Sequence, residues 1–251
     1  MSADDVDSIA AALLMARRRG ELTIPALPLS DVEDAYRIQD AVLQRHGAVD
    51  GWKVGAKNQE ATPTCAPLLG GTVVKQSDGL GYDIPVRGFV GVELEVAYRI
   101  NRDFAAGSAV DDQEILEAIA SVHIAVELCA SRLPDDSPPL WLLADNQMNE
   151  RLVVGEALSS WWNLQDASAK IAVDEKVLVS TIGGHPIGDP FRLVLWLVRH
   201  CTKQPTSRPA STSRLENKVT ALRDFRHCRP IAPGLSLRCP LGPRPPCRMH
   251  Q

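Results

Sequence analysis

The stretch FVGVELEVAYRI, residues 89–100, alternates apolar side chains with others at a period of two, which predicts a β-strand. One side of this strand would be apolar, and the other would carry Glu93 and Glu95 about 7 Å apart. Two ionised carboxylates held so close repel each other and need solvent, a cation or a shared proton. Taken alone, a solvent-facing strip is the simpler interpretation of this pair.

A second predicted strand, SVHIAVELC at 121–129, makes a metal site a stronger alternative to the solvent-facing interpretation. Glu127 is the only charged residue between positions 122 and 130, and a carboxylate in such an apolar strand is unfavourable unless it is paired or bound to metal. Three carboxylates with open coordination positions suit Mg²⁺ or Mn²⁺, which prefer oxygen ligands. The alternative is an ion pair with an arginine such as Arg99 or Arg132, and the spacing of the residues leaves both interpretations open.

Periodicity and capping signals predict the other elements. In chain order these are a helix over 4–18, a helix that starts at Ser30, a strand over 51–55, loops and short strands over 57–85, a helix from Asp111 or Asp112 to about Ala120, a turn and strand over 142–155, a strand pair over 170–182 and a helix after Gly188-Asp189-Pro190. The fold class is therefore mixed α/β (α+β). We expect a helical N-terminal part over 1–85 and a largely β core with a barrel-like roll over 86–200.

Composition excludes several classes of function. The net charge is −4, and no clustered basic face indicates nucleic-acid binding. No apolar run approaches the roughly 18 residues of a membrane span. The N-terminus has acids before its apolar run and arginines after it, the reverse of a secretory signal, which predicts a cytoplasmic protein. No Cys-x-x-Cys pair occurs, so neither a disulfide framework nor a zinc site is expected.

The composition changes near residue 200. Residues 201–251 carry ten Lys/Arg and two Asp/Glu, eight of the 18 prolines and four of the six cysteines. The final stretch PLGPRPPCRMHQ cannot sustain a helix or a central strand. Such a run is what another reading frame of a GC-rich gene tends to give, so we predict a divergent tail, frameshifted or disordered, and a β core that is incomplete at its C-terminal end.

Several short motifs occur in a characteristic order, and together they resemble the 2-keto-4-pentenoate hydratase / 4-oxalocrotonate decarboxylase group of the fumarylacetoacetate hydrolase superfamily. The matching stretches are GWKVGAK (51–57), CAPLLGG (65–71), GVELEVAYRINRDF (91–104), SVHIAVELCASR (121–132), LADNQMNERLVVG (143–155) and GGHPIGDPFRLVLWL (183–197). The resemblance implies a fumarylacetoacetase-like β-roll. Beyond residue 200 the glycine-rich strands that normally close this roll have no counterpart in the sequence.

The resemblance also implies the site. In that family the E-x-E pair and the later glutamate bind a divalent metal, here Mg²⁺ or Mn²⁺ at Glu93, Glu95 and Glu127. The family's lysine falls on Lys53, and its aspartate falls on Asp145. Lys53 would pair with a substrate carboxylate or shuttle a proton, whereas by itself it would be interpreted as a surface lysine. Asp145 and Gln147 would position water or a metal ligand, and turn chemistry is their alternative.

The implied activity is hydration of a 2-hydroxy-2,4-dienoate to a 4-hydroxy-2-oxo acid in aromatic-compound catabolism. The metal would act as a Lewis acid on the 2-oxo acid. The alternatives are a 4-oxalocrotonate-type decarboxylase, an acylpyruvate-type C–C hydrolase, and an inactive partner subunit. A hydrolase would need an activated water from a His–Glu pair, but His123 is better interpreted as a hydrogen-bonded histidine. The expected partners are the small substrate, other copies of the chain and a related decarboxylase. Ala130 stands where many hydratases have aspartate, which leaves the substrate open.

Overall fold

The computed structural model describes residues 1–23, 27–75, 89–159, 168–173, 176–182, 187–203 and 219–223. The helices in these ranges are α1 (Ala3–Arg19), α2 (Val32–His46), α3 (Asp112–Glu117), α4 (Pro139–Ala144) and α5 (Phe191–Lys203), with a 3₁₀ turn at Asn146–Met148. The strands are β1 (Val49–Gly55), β2 (Thr64–Leu69), β3 (Val73–Lys75), β4 (Phe89–Ile100), β5 (Ile119–Ala130), β6 (Asn149–Ala157), β7 (Ser168–Val173), β8 (Lys176–Ile182) and β9 (Val219–Arg223). None of these helices has the length and apolar character that crossing a membrane requires.

Seven of the strands form one sheet in the order β2-β1-β9-β4-β5-β6-β3, while β7 and β8 form a separate antiparallel pair. Strand β9 runs parallel to β1 and antiparallel to β4. The long β4–β5 pair is antiparallel and sets Glu93 directly opposite Glu127. The mixed α/β class predicted from the sequence is confirmed.

The sheet is strongly curled. Strands β2 and β3 lie at its two edges, yet only residues 70–72 connect them. A connection of this length spans at most about 14 Å. Six spacings of about 4.8 Å would put the outer strands of a flat sheet about 29 Å apart. The edges must therefore curve toward each other into a roll. The hydrogen-bonded order of the described strands ends at β2 and β3, so the roll is not a closed barrel.

The curl gives the sheet an outer and an inner face. Side chains such as Trp52, Tyr98 and Val122 lie on the outer face and belong to the main apolar core, which includes buried residues of helices α1, α2 and α5. The inner face holds a smaller apolar cluster of Leu68, Ala97, Ala125, Leu152 and Val154, all nearly inaccessible to solvent. Because alternate residues of a strand point to opposite faces, this inner surface also receives Lys53 of β1, Glu93 and Glu95 of β4 and Glu127 of β5.

The N-terminal helices follow their capping signals with one correction. Helix α1 begins after Ser2 and ends at Gly20, which adopts the left-handed φ of 64°. Helix α2 was predicted to start at Ser30, but its N-cap is Asp31, whose side chain accepts from the Asp34 amide at 3.0 Å. Ser30 instead donates its own amide to the Asp34 carboxylate at 3.0 Å.

Further along the chain, most predicted elements are confirmed. Helix α3 is shorter than predicted: it ends at Glu117 rather than near Ala120, because β5 begins at Ile119 to pair with Ile100. The strand pair of 170–182 is present as β7 and β8, and helix α5 follows Pro190. The 142–155 stretch contains the end of α4 and a left-handed turn ahead of its strand. Part of the loop region, 76–85, lies outside the described residues.

The segment predicted as a divergent tail contributes to the sheet. Helix α5 continues to Lys203, and β9 inserts between β1 and β4. Lys53 of β1 and Ala97 of β4 both have Ala221 as their register partner. The fold therefore extends past the compositional break at residue 200. The frameshift hypothesis concerns mostly residues outside the described ranges and stays a prediction, as do the predicted domain boundaries.

Candidate metal centre

Three carboxylates lie on the inner face of the roll. Glu93 and Glu95 come from alternate positions of β4, and Glu127 from the facing position of β5. Their exposed fractions are 2%, 1% and 0%. The solvent-facing interpretation of the Glu-x-Glu pair is therefore wrong. The apolar cluster on the same face lowers the local dielectric, which strengthens interactions among the charges there.

The ammonium group of Lys53 pairs with Glu127. Nζ lies 2.7 Å from Oε1 and 2.5 Å from Oε2 of the carboxylate, and it also donates to the Gln147 carbonyl oxygen at 3.1 Å. Lys53 is 1% exposed, so the surface-lysine interpretation is wrong. The alternative ion pair of Glu127 with Arg99 or Arg132 is also replaced, because the partner in the structure is Lys53.

Asn149 provides a second hydrogen bond to Glu127, from Nδ2 to Oε1 at 2.8 Å. Burial raises the pKa of Glu127, the Lys53 ammonium opposes that rise, and the nearby charge of Glu93 adds to it. A bound cation would lower the pKa of Glu127, because it favours the ionised carboxylate. The environment of Glu127 is thus one in which a positive charge is strongly favoured.

Two of the three predicted metal ligands come close enough to share an ion. One carboxylate oxygen of Glu93, one of Glu127 and Sγ of Cys129 all lie within 4.8 Å of one another. Glu95 is buried on the same side of β4 but lies outside this tight group of described residues. Ligand oxygens of Mg²⁺ and Mn²⁺ lie near 2.1 Å from the ion, so oxygens this close can converge on one cation. The donor set fits a divalent metal.

Asp145, predicted as catalytic, is held by Arg132. Its Oδ2 accepts the Arg132 backbone amide at 2.8 Å, its Oδ1 accepts Nε at 2.7 Å, and its carbonyl oxygen accepts Nη2 at 3.0 Å. Burial raises the pKa of Asp145, and the adjoining guanidinium opposes the rise. The Asp145 carboxylate is therefore bound by Arg132, and this contact holds the residue that precedes the next turn.

That turn has an unusual backbone. Asn146, Gln147 and Met148 have φ angles of 50°, 51° and 60°, three successive left-handed residues without a glycine. Each such residue is disfavoured, and a run of them persists only where the surroundings hold it. Here the turn directs the Gln147 carbonyl to Lys53, while the Gln147 side chain donates to Thr64 Oγ1 at 2.8 Å. The predicted site residue Gln147 thus reaches the centre through its backbone.

Arg132 also fixes the start of strand β6. Its Nη1 donates to the carbonyl of Asn149 at 3.1 Å and to Glu150 Oε2 at 3.0 Å. Arg17 of helix α1 donates to the same Asn149 carbonyl and pairs with Glu150 at 3.4 Å. Burial, and then the nearby charge of Arg132, lower the pKa of Arg17 to about 10. Two arginines therefore hold the strand end from which Asn149 reaches Glu127.

His123 is hydrogen-bonded as predicted. Nδ1 lies 2.8 Å from the Gly155 carbonyl, so it must carry the proton in the neutral ring, and Nε2 is then the acceptor for Ser121 Oγ at 2.8 Å. Both ring nitrogens are thus engaged on the β5 strand end remote from Glu127.

Two residues of the centre, Cys129 and Asn149, were missed from the sequence. Cys129 could have been found by continuing the period of two from Glu127, because it shares that face of β5. Asn149 carried no comparable signal, and Arg132 was considered only as a partner of Glu127, since the contacts of both depend on how a left-handed turn joins α4 to β6. Neither the turn nor its direction follows from periodicity.

No protein-family model matches the sequence, and no curated protein matches it. Among solved structures, 4-oxalocrotonate decarboxylase from Pseudomonas putida G7 is similar in two complexes. The complex with calcium and acetate has a TM-score of 0.68 at 18% identity and covers 89% of this chain and 87% of that chain. The complex with magnesium and adipate has a TM-score of 0.66 at 18% identity, with 93% and 92% covered. At this identity the likeness establishes the fold alone: the chain has the fold of 4-oxalocrotonate decarboxylase, the architecture that the sequence resemblance implied.

Proposed function

We propose that this protein is a metal-dependent enzyme of the fumarylacetoacetate hydrolase superfamily that acts on small 2-oxo acids. One observation supports the proposal above the others: Glu93 and Glu127 face each other, buried, with the Lys53 ammonium against Glu127. Burying several carboxylates around one position lowers the stability of the fold unless a cation compensates their charge. Such clusters are typical of functional sites. The motif order from residue 51 to 197 and the shared fold support the same conclusion.

Glu93, Glu95 and Glu127 would hold Mg²⁺ or Mn²⁺. Once bound, the metal would supply Lewis acidity toward the 2-oxygen and carboxylate of the substrate. The chain's own contribution is positioning. Glu127 is oriented by Lys53 and Asn149, and Lys53 is in turn held by the Gln147 carbonyl. These contacts fix the direction of the ammonium, which is the acid closest to Glu127 among the described residues.

The reaction we assign first is hydration of a 2-hydroxy-2,4-dienoate. Protonation of C5, with loss of the 2-hydroxyl proton, converts the dienol to a 2-oxo-3-enoate, in which C4 is electrophilic. Water then adds its oxygen to C4, and a proton goes to C3, so a 4-hydroxy-2-oxo acid results. Lys53 Nζ is our candidate to deliver and recover these protons, because it is buried and lies against Glu127 in the carboxylate centre.

A 4-oxalocrotonate-type decarboxylase is the second candidate. It is favoured by the fold, because the two similar solved structures described above are of such an enzyme. This reaction would use the same carboxylate centre to stabilise charge on the 2-oxo group while CO₂ leaves. The C–C hydrolase has less support, because His123 is occupied by Ser121 and Gly155 and would not activate a water beside Glu127.

The test is an ultraviolet assay of 2-hydroxypenta-2,4-dienoate consumption with Mg²⁺ or Mn²⁺. We expect activity that chelator abolishes and that Glu93→Gln reduces by at least about a hundredfold, as loss of a metal ligand should. Glu60→Gln is the control, because Glu60 is exposed. Release of CO₂ from 2-oxo-3-hexenedioate, with no turnover of the dienoate, would instead assign the decarboxylase. Turnover that chelator leaves intact would exclude a metal-dependent mechanism for both the hydratase and the decarboxylase.

A further inference from the structure

Cys129 lies inside the carboxylate centre. It follows Glu127 by two residues on β5 and shares its face of the sheet. Its Sγ is within 4.8 Å of a carboxylate oxygen of Glu93 and of one of Glu127, and the residue is fully buried. The thiol therefore has the same access to a cation at this point as the two carboxylates have.

The strand register explains why sulfur reaches the centre. Cys129 pairs with Gly91 on β4, two residues before Glu93, and a bulge interrupts the β4–β5 register just beyond this pair. Gly91 has no side chain to fill the space beside Cys129. On its other side Cys129 pairs with Asn149, whose amide points to Glu127. The local geometry thus leaves Sγ, Glu93 and Glu127 facing a common point.

We propose that Cys129 is a sulfur ligand of this metal centre, so that Glu93, Glu127 and Cys129 together bind thiophilic divalent ions such as Zn²⁺ and Cd²⁺. The inference rests on the proposed function, because it uses the same carboxylates. Oxygen-only sites favour Mg²⁺, Ca²⁺ and Mn²⁺, whereas a sulfur donor shifts preference toward softer ions. On binding, the ion displaces the thiol proton to solvent. The centre would then discriminate among metals through a residue outside the Glu-x-Glu motif.

The competing explanation is that Cys129 is a buried thiol of purely structural role, as many cysteines are. Metal titration separates the two. Full-length protein is stripped with chelator and titrated with Cd²⁺, and the ultraviolet sulfur-to-cadmium charge-transfer absorption is recorded at the first equivalent. Calorimetry supplies the Cd²⁺ and Mg²⁺ affinities of the same sample. Because any of the six cysteines could bind Cd²⁺, only a comparison of variants assigns the absorption to Cys129.

Cys129→Val keeps an apolar side chain of similar size at the site. We expect it to lose the first-equivalent absorption and to lower the ratio of Cd²⁺ to Mg²⁺ affinity by at least about tenfold. Cys65→Val is the matched control, since Cys65 is also fully buried but belongs to the outer-face core. It should retain both the absorption and the ratio. Should Cys129→Val fail to fold, Cys129→Ser is the replacement and is expected to show the same loss.

Retention of the absorption in Cys129→Val, or its absence from the unmodified protein, would overturn the inference. Glu93→Gln distinguishes this failure from failure of the proposed function. If Glu93→Gln weakens Mg²⁺ and Mn²⁺ binding while the cysteine variant changes nothing, the carboxylate metal site is supported and Cys129 is excluded as a ligand. If neither variant alters the binding of any of these metals, both proposals fall together.

Discussion

Lys53 Nζ lies 2.7 and 2.5 Å from the two carboxylate oxygens of Glu127, although two strands, β9 and β4, separate their strands in the sheet. On a flat sheet the two backbones would be about 14 Å apart. The contact is therefore a direct product of the curl, which turns both side chains toward one interior.

We expect Lys53→Met to lower the free energy of unfolding of the metal-free protein by about 3–5 kcal/mol, because it leaves Glu127 buried without its cation. The loss should shrink as the pH falls, since a protonated Glu127 does not need the ammonium and burial already raises its pKa. Urea unfolding at several pH values measures both effects. Lys57→Met, at an exposed position, should change stability by less than about 0.5 kcal/mol. Equal losses in the two variants would contradict the assignment.

The buried Arg132–Asp145 pair should be equally important for stability. Arg132→Ala is expected to lower the free energy of unfolding by about 3–5 kcal/mol, because the Asp145 carboxylate would stay buried and unpaired. Arg132→Lys should recover less than half of this loss, since one ammonium cannot reproduce the fork of guanidinium bonds. The comparison is Arg199→Ala, which breaks a pair with exposed Asp112 and should change stability by under about 1 kcal/mol.

Met148 tests the strain of the left-handed turn. Its φ of 60° is favourable for glycine and poor for a β-branched side chain. We expect Met148→Gly to change the free energy of unfolding by less than about 1 kcal/mol and Met148→Ile to lower it by about 1–3 kcal/mol. Thermal and urea unfolding of the two variants supply the comparison. A Met148→Ile protein as stable as Met148→Gly would show that the turn is not strained in solution.

Metal binding should stabilise the fold through the same carboxylates. At a concentration one hundred times the dissociation constant, Mg²⁺ or Mn²⁺ is expected to add about 2.7 kcal/mol to the free energy of unfolding. Glu93→Gln should abolish this increment at equal metal concentration, whereas the exposed Glu60→Gln should keep it. Melting temperatures with and without chelator measure the increment. An undiminished increment in Glu93→Gln would place the stabilising metal elsewhere.

Strand β9 offers a test of the C-terminal segment. The backbone of Ala221 pairs with strands on both sides, so Ala221→Pro removes a ladder amide inside the sheet and should lower stability by about 3 kcal/mol or more. Ala221→Gly keeps that amide and should cost about 1 kcal/mol or less. Soluble yield and urea unfolding report the difference. Equal behaviour of the two variants would argue against pairing at this position.

The sequence predicts this fold well wherever one residue pattern decides one element. The alternation over 89–100 predicted β4, and Glu127 stood out because its strand is otherwise apolar. The partners of these residues could not be predicted in the same way. Lys53 reaches Glu127 only because the sheet curls, and that curvature is a property of seven strands together. Arg132 was a reasonable partner for Glu127 by charge, yet the turn after Asp145 directs it elsewhere.

The position of β9 has a consequence for synthesis. Strand β1, which carries Lys53, precedes β9 by more than 160 residues, so at ordinary ribosomal speeds roughly ten to thirty seconds separate their appearance. During that interval β4, β5 and β6 can pair as a hairpin sheet, but the strand that bridges them to β1 does not yet exist. The nascent chain can thus bring Glu93 and Glu127 together before the complete sheet positions the Lys53 ammonium against Glu127. A bound cation, or a chaperone shielding the open edge of β4, would have its greatest effect on yield in that interval.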